Sequence, residues 1–142
     1  MHHLDLGLFH YQIEYTRELL KSLQGNSLND EIDRRLAKIP RFLGLKIFSH
    51  GIQSISRFTA DDYKNLMKVM VFVIDNLYNI ELSAKNKKLT SLYQEWNEMY
   101  LISRYKEFSE SDLKKFEIDI NLKKILKHFI KFWSILKNYI KI

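Results

Sequence analysis

"TADDYKNLMKVMVFVIDNLY", residues 59–78, decides between helix and sheet for this chain. Its apolar run from Val69 to Ile74 has β-branched content that would suit a buried strand. The residues ahead of that run argue for helix. Thr59-x-x-Asp62 has the form of a capping box, a hydroxyl and an acid three apart at a helix start. Tyr63, Leu66, Met67, Met70, Ile74, Leu77 and Tyr78 then share one face at steps of three and four. The pattern predicts a helix from Thr59 to about Leu82, longer than strands usually run. Because the stretch 69–74 is apolar on every side, that helix is expected in the middle of the core.

Toward the amino terminus, "PRFLGLKIFSHGIQSISR" (40–57) holds two of the four glycines and the single proline. This composition predicts a connection of loop and short extended pieces with at most one helical turn. Before it, "NDEIDRRLAKI" (29–39) has acids leading and bases trailing, as a helix dipole favours. Ser27 or Asn29 is available to cap that helix and Pro40 to end it. Earlier still, Leu6, Phe9, Ile13, Leu19, Leu20 and Leu23 recur at helical spacing, with Gln12, Glu14, Arg17, Glu18 and Lys21 on the polar side. Gly25 supplies the left-handed stop.

Toward the carboxyl terminus, "SAKNKK" (83–88) reads as a polar connection. The following segment places Leu89, Leu92, Trp96, Met99, Tyr100 and Ile102 on one helical face. Ser109-x-x-Asp112 caps a last helix, in which Leu113, Phe116, Ile120 and later apolar residues keep roughly helical spacing. No self-similarity of 20–50 residues suggests a repeat solenoid.

The chain has 142 residues, enough for one domain with a real core, and a net charge of +6. The charge is unevenly placed. Residues 120–142 contain Lys123, Lys124, Lys127, Lys131, Lys137 and Lys141 and no acid, which accounts for the whole excess. Zero cysteines exclude disulfides, thiolate metal sites and cysteine nucleophiles, and fit an intracellular protein. No stretch reaches the roughly 18 apolar residues needed to span a bilayer, and no signal peptide is evident.

Candidate chemistry is sparse. His2, His3, Asp5 and His10 form the one cluster of metal-ligand types, but a metal needs three or four convergent ligands and no second cluster supplies them. Helix-terminal histidines with no metal are the simpler reading. His50 follows Ser49 in the connecting stretch, with no G-x-S-x-G elbow to make a nucleophile of a serine. Neither G-x-x-x-x-G-K-[ST] nor G-x-G-x-x-G occurs, so no glycine loop cradles a nucleotide. Asp61 and Asp62 are adjacent on a helix and diverge by roughly 100°, which suits a cap better than an acid–base pair. In the tail, lysines alternate with Phe129, Phe132, Trp133 and Tyr139. Such a segment can bind phosphates and stack bases, or lie on an anionic membrane. It can equally pack its apolar face on a core and leave the lysines in water.

Several blocks carry a resemblance: Ile32-Asp33-Arg34-Arg35, Ile39-Pro40-Arg41-Phe42, Gly44-Leu45-Lys46, Phe48, Gly51-Ile52, Ser54, and Phe58-Thr59 through Lys68-Val69. With the "DLGLF" block at 5–9, over about residues 4–117, this wording resembles a helical segment of fungal transposases related to the Kyakuja–Dileera–Zisupton superfamily. The resemblance implies a long protein with an RNase H-like core, where two aspartates and a glutamate hold two metal ions, and a helical region inserted in that core. It makes Asp5 a possible relic of a core carboxylate. The family's cysteine-rich zinc segment, its "P-K-x-H-x-x-x-H" block and its "T-E-x-x-E-x-x-H-K" block have no counterpart here. One carboxylate cannot assemble a two-metal centre.

The expectation is therefore an all-α fold of about five helices around the buried helix 59–82, with no sizeable sheet. Residues 1–119 form a helical domain and 120–142 a basic amphipathic helix outside the family match. In function, the reading is a catalytically incompetent, transposase-derived helical scaffold or interaction module, translated from within an older and longer protein. It uses no metal or cofactor. The second reading is a nucleic-acid- or protein-binding module whose tail contacts are Lys123, Lys124, Lys127, Lys131, Trp133 and Lys137. An exposed helical surface that once faced the core would also favour self-association.

Overall fold

The computed structural model describes residues 7–77, 83–107 and 109–119. They form an all-α protein: α1 (His10–Gln24), α2 (Ser27–Ala37), a 3₁₀ turn (Ile55–Arg57), α3 (Ala60–Ile74), α4 (Ser83–Ser103) and α5 (Glu110–Asp119). No strand occurs among the described residues. The chain divides into two compact units, Met1–Leu89 and Thr90–Ile142, and α4 runs through the division.

In the first unit α1 packs on α2 and α2 on α3. Phe9, Ile13 and Leu20 of the first segment, Ile32 and Leu36 of α2, and Leu66, Met70 and Ile74 of α3 are fully buried. Each such side chain contributes about 1.5–3 kcal/mol by leaving water. α1 ends at Gly25 as expected, but with φ 66° and ψ −146° the glycine has a positive φ outside the left-handed helical region, and its N–H donates to the Lys21 carbonyl. α2 begins differently from the sequence expectation: neither Ser27 nor Asn29 caps it. Ser27 donates back to the Gln24 carbonyl, and Asn29 sits inside the helix, buried, donating to the Arg17 carbonyl. The tight α1–α2 corner turns both side chains onto α1.

The capping box of α3 is present, with Thr59 Oγ1 accepting from the Asp62 N–H and the Asp62 carboxylate accepting from the Thr59 N–H. The helix is shorter than expected, because Ile74 ends it well before Leu82. Asp75 leaves the helical region (ψ 133°) and Asn76 adopts φ 49°. Arg35 of α2 holds this end by donating to the carbonyls of Val73, Asp75 and Asn76 at 2.9, 2.6 and 3.1 Å. The apolar run is also not buried all round, since Phe72 is 76% exposed. Residues 78–82 lie outside the described residues.

The "SAKNKK" stretch is helix rather than connection. It contains no glycine or proline, and Asn86 is buried with its Oδ1 accepting the Leu77 N–H at 3.3 Å. In the second unit Tyr93, Trp96, Met99 and Ile102 make the buried face of α4. Tyr93, fully buried, was not on the face expected from periodicity, although it lies between Leu89 and Trp96 at helical spacing. α5 opens on the expected cap, the Ser109 N–H donating to Asp112 Oδ2 at 3.0 Å and the Asp112 N–H to Ser109 Oγ at 3.2 Å.

Candidate functional site

Specific polar contacts tie the connection between α2 and α3 to α1, α2 and α3. Asp33 of α2 accepts the Ile52 N–H through Oδ1 at 2.9 Å. Arg17 of α1 donates to the Ile52 carbonyl at 3.1 Å, so one residue is gripped from two helices. Tyr63 of α3 donates its hydroxyl proton to the Ile55 carbonyl at 2.9 Å. Phe48 is buried against Phe58, which in turn meets the edge of Tyr63 at 5.8 Å.

Tyr63 also lies 2.5 Å from His10 Nδ1. The Tyr63 proton goes to Ile55, and the same hydroxyl oxygen meets the ring nitrogen. His10 Nε2 faces Glu14 at 3.1 Å, completing a chain from α1 to the connection. This is the role the structure gives to the described histidine of the amino-terminal cluster. His2, His3 and Asp5 lie outside the described residues.

At the other end of the connection, Lys46 Nζ lies 2.5 Å from Asp62 Oδ1 and the Lys46 N–H donates to Asn65. Burial alone would raise the Asp62 carboxyl, but Lys46 and the two Thr59 groups outweigh it and hold the carboxyl below its usual range. Asp62 is thus committed to structure, and its neighbour Asp61 is exposed and paired with Lys64. The two carboxylates do not converge.

Between the end of α2 and Lys46 the chain makes a turn, the Leu45 N–H donating to the Phe42 carbonyl at 3.0 Å with Gly44 at φ 76°. A positive φ at the third residue of a four-residue turn is the signature of type II geometry. Leu43, at the corner, is 97% exposed and Phe42 is 76% exposed. Two consecutive apolar side chains held in water by a pinned loop form the most conspicuous surface feature of this unit. Periodicity could not find them, because the loop has none. The one sequence signal available is Pro40 and Gly44 on either side of an apolar pair, which composition alone reads only as loop.

A shallow groove of about 320 Å³ lies beside α1, lined by Glu14, Arg17, Glu18, Lys21 and Asn29. Its charges alternate in sign, and Arg17 is already engaged with Ile52. His50 and Ser49 sit in an exposed turn. No group of three His, Cys, Asp or Glu side chains converges on a metal position among the described residues. Among the same residues no helix is long and apolar enough to cross a membrane. The basic tail, with Lys123, Lys124, Lys127, Lys131, Trp133 and Lys137, lies outside the described residues.

Fold and site together define a class: an all-α protein presenting a pinned loop with an apolar tip. No family model, no curated protein and no solved structure matches the chain.

Proposed function

We infer that this chain is a helical interaction module of transposase origin, in which catalysis plays no part. One observation carries the reading. Within the block that resembles the transposase segment, Asp33, Arg35, Lys46, Phe48, Gly51 and Ile52 are spent on holding the α2–α3 connection and the end of α3. The same block leaves Phe42 and Leu43 facing water. A rigid scaffold with an exposed apolar tip is built to meet a partner surface. The test is a cleavage and strand-transfer assay with Mg²⁺ or Mn²⁺. The expected result is no activity, and metal-dependent cutting abolished by Asp5→Asn overturns the reading.

The six lysines of 120–142, with no acid among them, favour a second reading in which the tail binds phosphates. DNA retention that falls steeply with salt and disappears on deleting 120–142 would support it. Salt-insensitive retention would count against it.

A further inference from the structure

Residues 34–60 contain Arg34, Arg35, Lys38, Arg41, Lys46 and Arg57 and not one Asp or Glu. Arg34 and Arg35 are paired with Glu31, and Lys46 with Asp62. Lys38 and Arg41 are exposed and precede in sequence the turn that holds out Phe42 and Leu43. The loop is therefore an apolar tip with a cationic base, and it fits an apolar surface rimmed by acids.

The second unit carries such a surface. Glu98 and Leu101 lie three apart on α4, and Tyr105 follows just past the end of the helix, its N–H donating to the Ile102 carbonyl at 3.0 Å in a closing turn. Leu101 is 63% exposed and Tyr105 51%. Glu95 precedes them by one turn, exposed like Glu98, and the exposed Glu107 and Glu110 follow in sequence. The cations of this stretch are Arg104 and Lys106.

Resting on the reading of the chain as an interaction module, we propose that its partner is a second copy of itself. Phe42 and Leu43 of one copy seat on Leu101 and Tyr105 of another, with Lys38 and Arg41 facing Glu95 and Glu98. Each chain carries both halves, so two copies can meet reciprocally in a closed two-fold pair, and any half left unfilled recruits a further copy. A tip of two side chains buries little surface, which makes the association weak and concentration-dependent. Opposite rim charges fix its register and make it sensitive to salt.

The full chain is measured by light scattering from about 10 μM to about 1 mM, a range suited to weak contacts. The mean mass should rise with concentration at ~50 mM salt and rise much less at ~0.5 M, where the Debye length has shrunk. The double variant Phe42→Ser, Leu43→Ser should stay monomeric with unchanged helical circular dichroism, since neither side chain is in the core. Arg41→Glu and Glu98→Arg should each weaken association about tenfold, and the two together should recover most of it. A monomer throughout, association that survives the double serine variant, or no recovery in the paired reversal overturns the proposal. So does a monomer that the loop binds to an oligonucleotide or to anionic vesicles, because the tip then has another occupant. None of these results touches the non-catalytic reading, which metal-dependent cutting alone would remove.

Discussion

Asp33 and Gly51 fit together with no room for a methyl group between them: a Cβ built on Gly51 would overlap the Asp33 side chain from Cβ to carboxylate oxygen. Gly51 also has φ 63°, which L-residues disfavour. The closeness lets Asp33 reach the Ile52 N–H and so fixes the connection on α2. Gly51→Ala should cost about 2–4 kcal/mol, strain and overlap combined. Gly44→Ala, with φ 76° but open space around it, should cost only about 1–2 kcal/mol. Urea melts of the two variants check the ranking. In an Asp33→Ala background the Gly51→Ala penalty should shrink, and equal penalties in both backgrounds would remove Asp33 from the explanation.

Arg35 joins α2 to the end of α3, and Glu31 steadies it from one turn away at 2.8 Å. Hydrogen bonds from Arg34 and then Arg35 bring the Glu31 carboxyl down from 4.5 to about 2. Between those values the unfolded chain binds a proton that the folded protein does not. The stabilisation is therefore complete above about 4.5 and lost as pH falls toward 2. Glu31→Gln should flatten that part of the acid limb in thermal melts, by little in energy because the group is near the surface. Arg35→Lys should cost about 1–2 kcal/mol at neutral pH, because a single ammonium cannot reach three carbonyls as the guanidinium fork does. An unchanged melt for Arg35→Lys would show that the end of α3 holds without it.

Tyr63 provides the alkaline counterpart. Burial, then the carboxylates of Glu14 and Asp62, push its phenol from 10.0 up to about 12. In that window the folded protein keeps a proton that the unfolded chain has released, so stability is full below 10 and falls as pH rises to 12. Tyr63→Phe should lower stability at neutral pH by about 1–2 kcal/mol, because the buried Ile55 carbonyl and His10 both lose a partner. It should also remove its share of the alkaline decline. Melts of the variant and the parent chain at about pH 8 and about pH 11 measure both effects, and parallel declines would assign the alkaline loss elsewhere.

The helices were legible where a local device makes them. Thr59 with Asp62, Ser109 with Asp112, and Gly25 act within one turn of chain, and each does in the structure what its spacing implies. The end of α3 was not legible, because it is held by an arginine some forty residues earlier in sequence. The helical start of α4 is not legible, because polar residues without breakers read as loop; Asn86 is buried against the end of α3, while Lys87 and Lys88 stay exposed. The site followed the same division. The composition of residues 40–57 marks a connection, but no sequence rule says whether an apolar pair within it turns in or out.

Gln12 is the sharpest departure from periodicity and suggests a stabilising substitution. It falls on the polar side of α1 by composition, yet it is 1% exposed, and neither its Oε1 nor its Nε2 has a hydrogen-bond partner among the described residues. Its helical neighbour Thr16, also buried, donates to the Gln12 backbone carbonyl rather than to the side chain. A buried amide without partners forfeits the water it bonded in the unfolded chain, at about 1–3 kcal/mol. Gln12→Met keeps the length and flexibility of the side chain and removes the desolvated dipole. The substitution should therefore raise stability by about 1 kcal/mol, or about 3 °C in Tm for a chain of this size. Gln12→Ala, which removes the same dipole but leaves a cavity, should gain less or lose. If Gln12→Met destabilises while Gln12→Glu is tolerated, the amide is bonded in solution to a group beyond the described residues, and the α1 face that carries it is a polar contact rather than core.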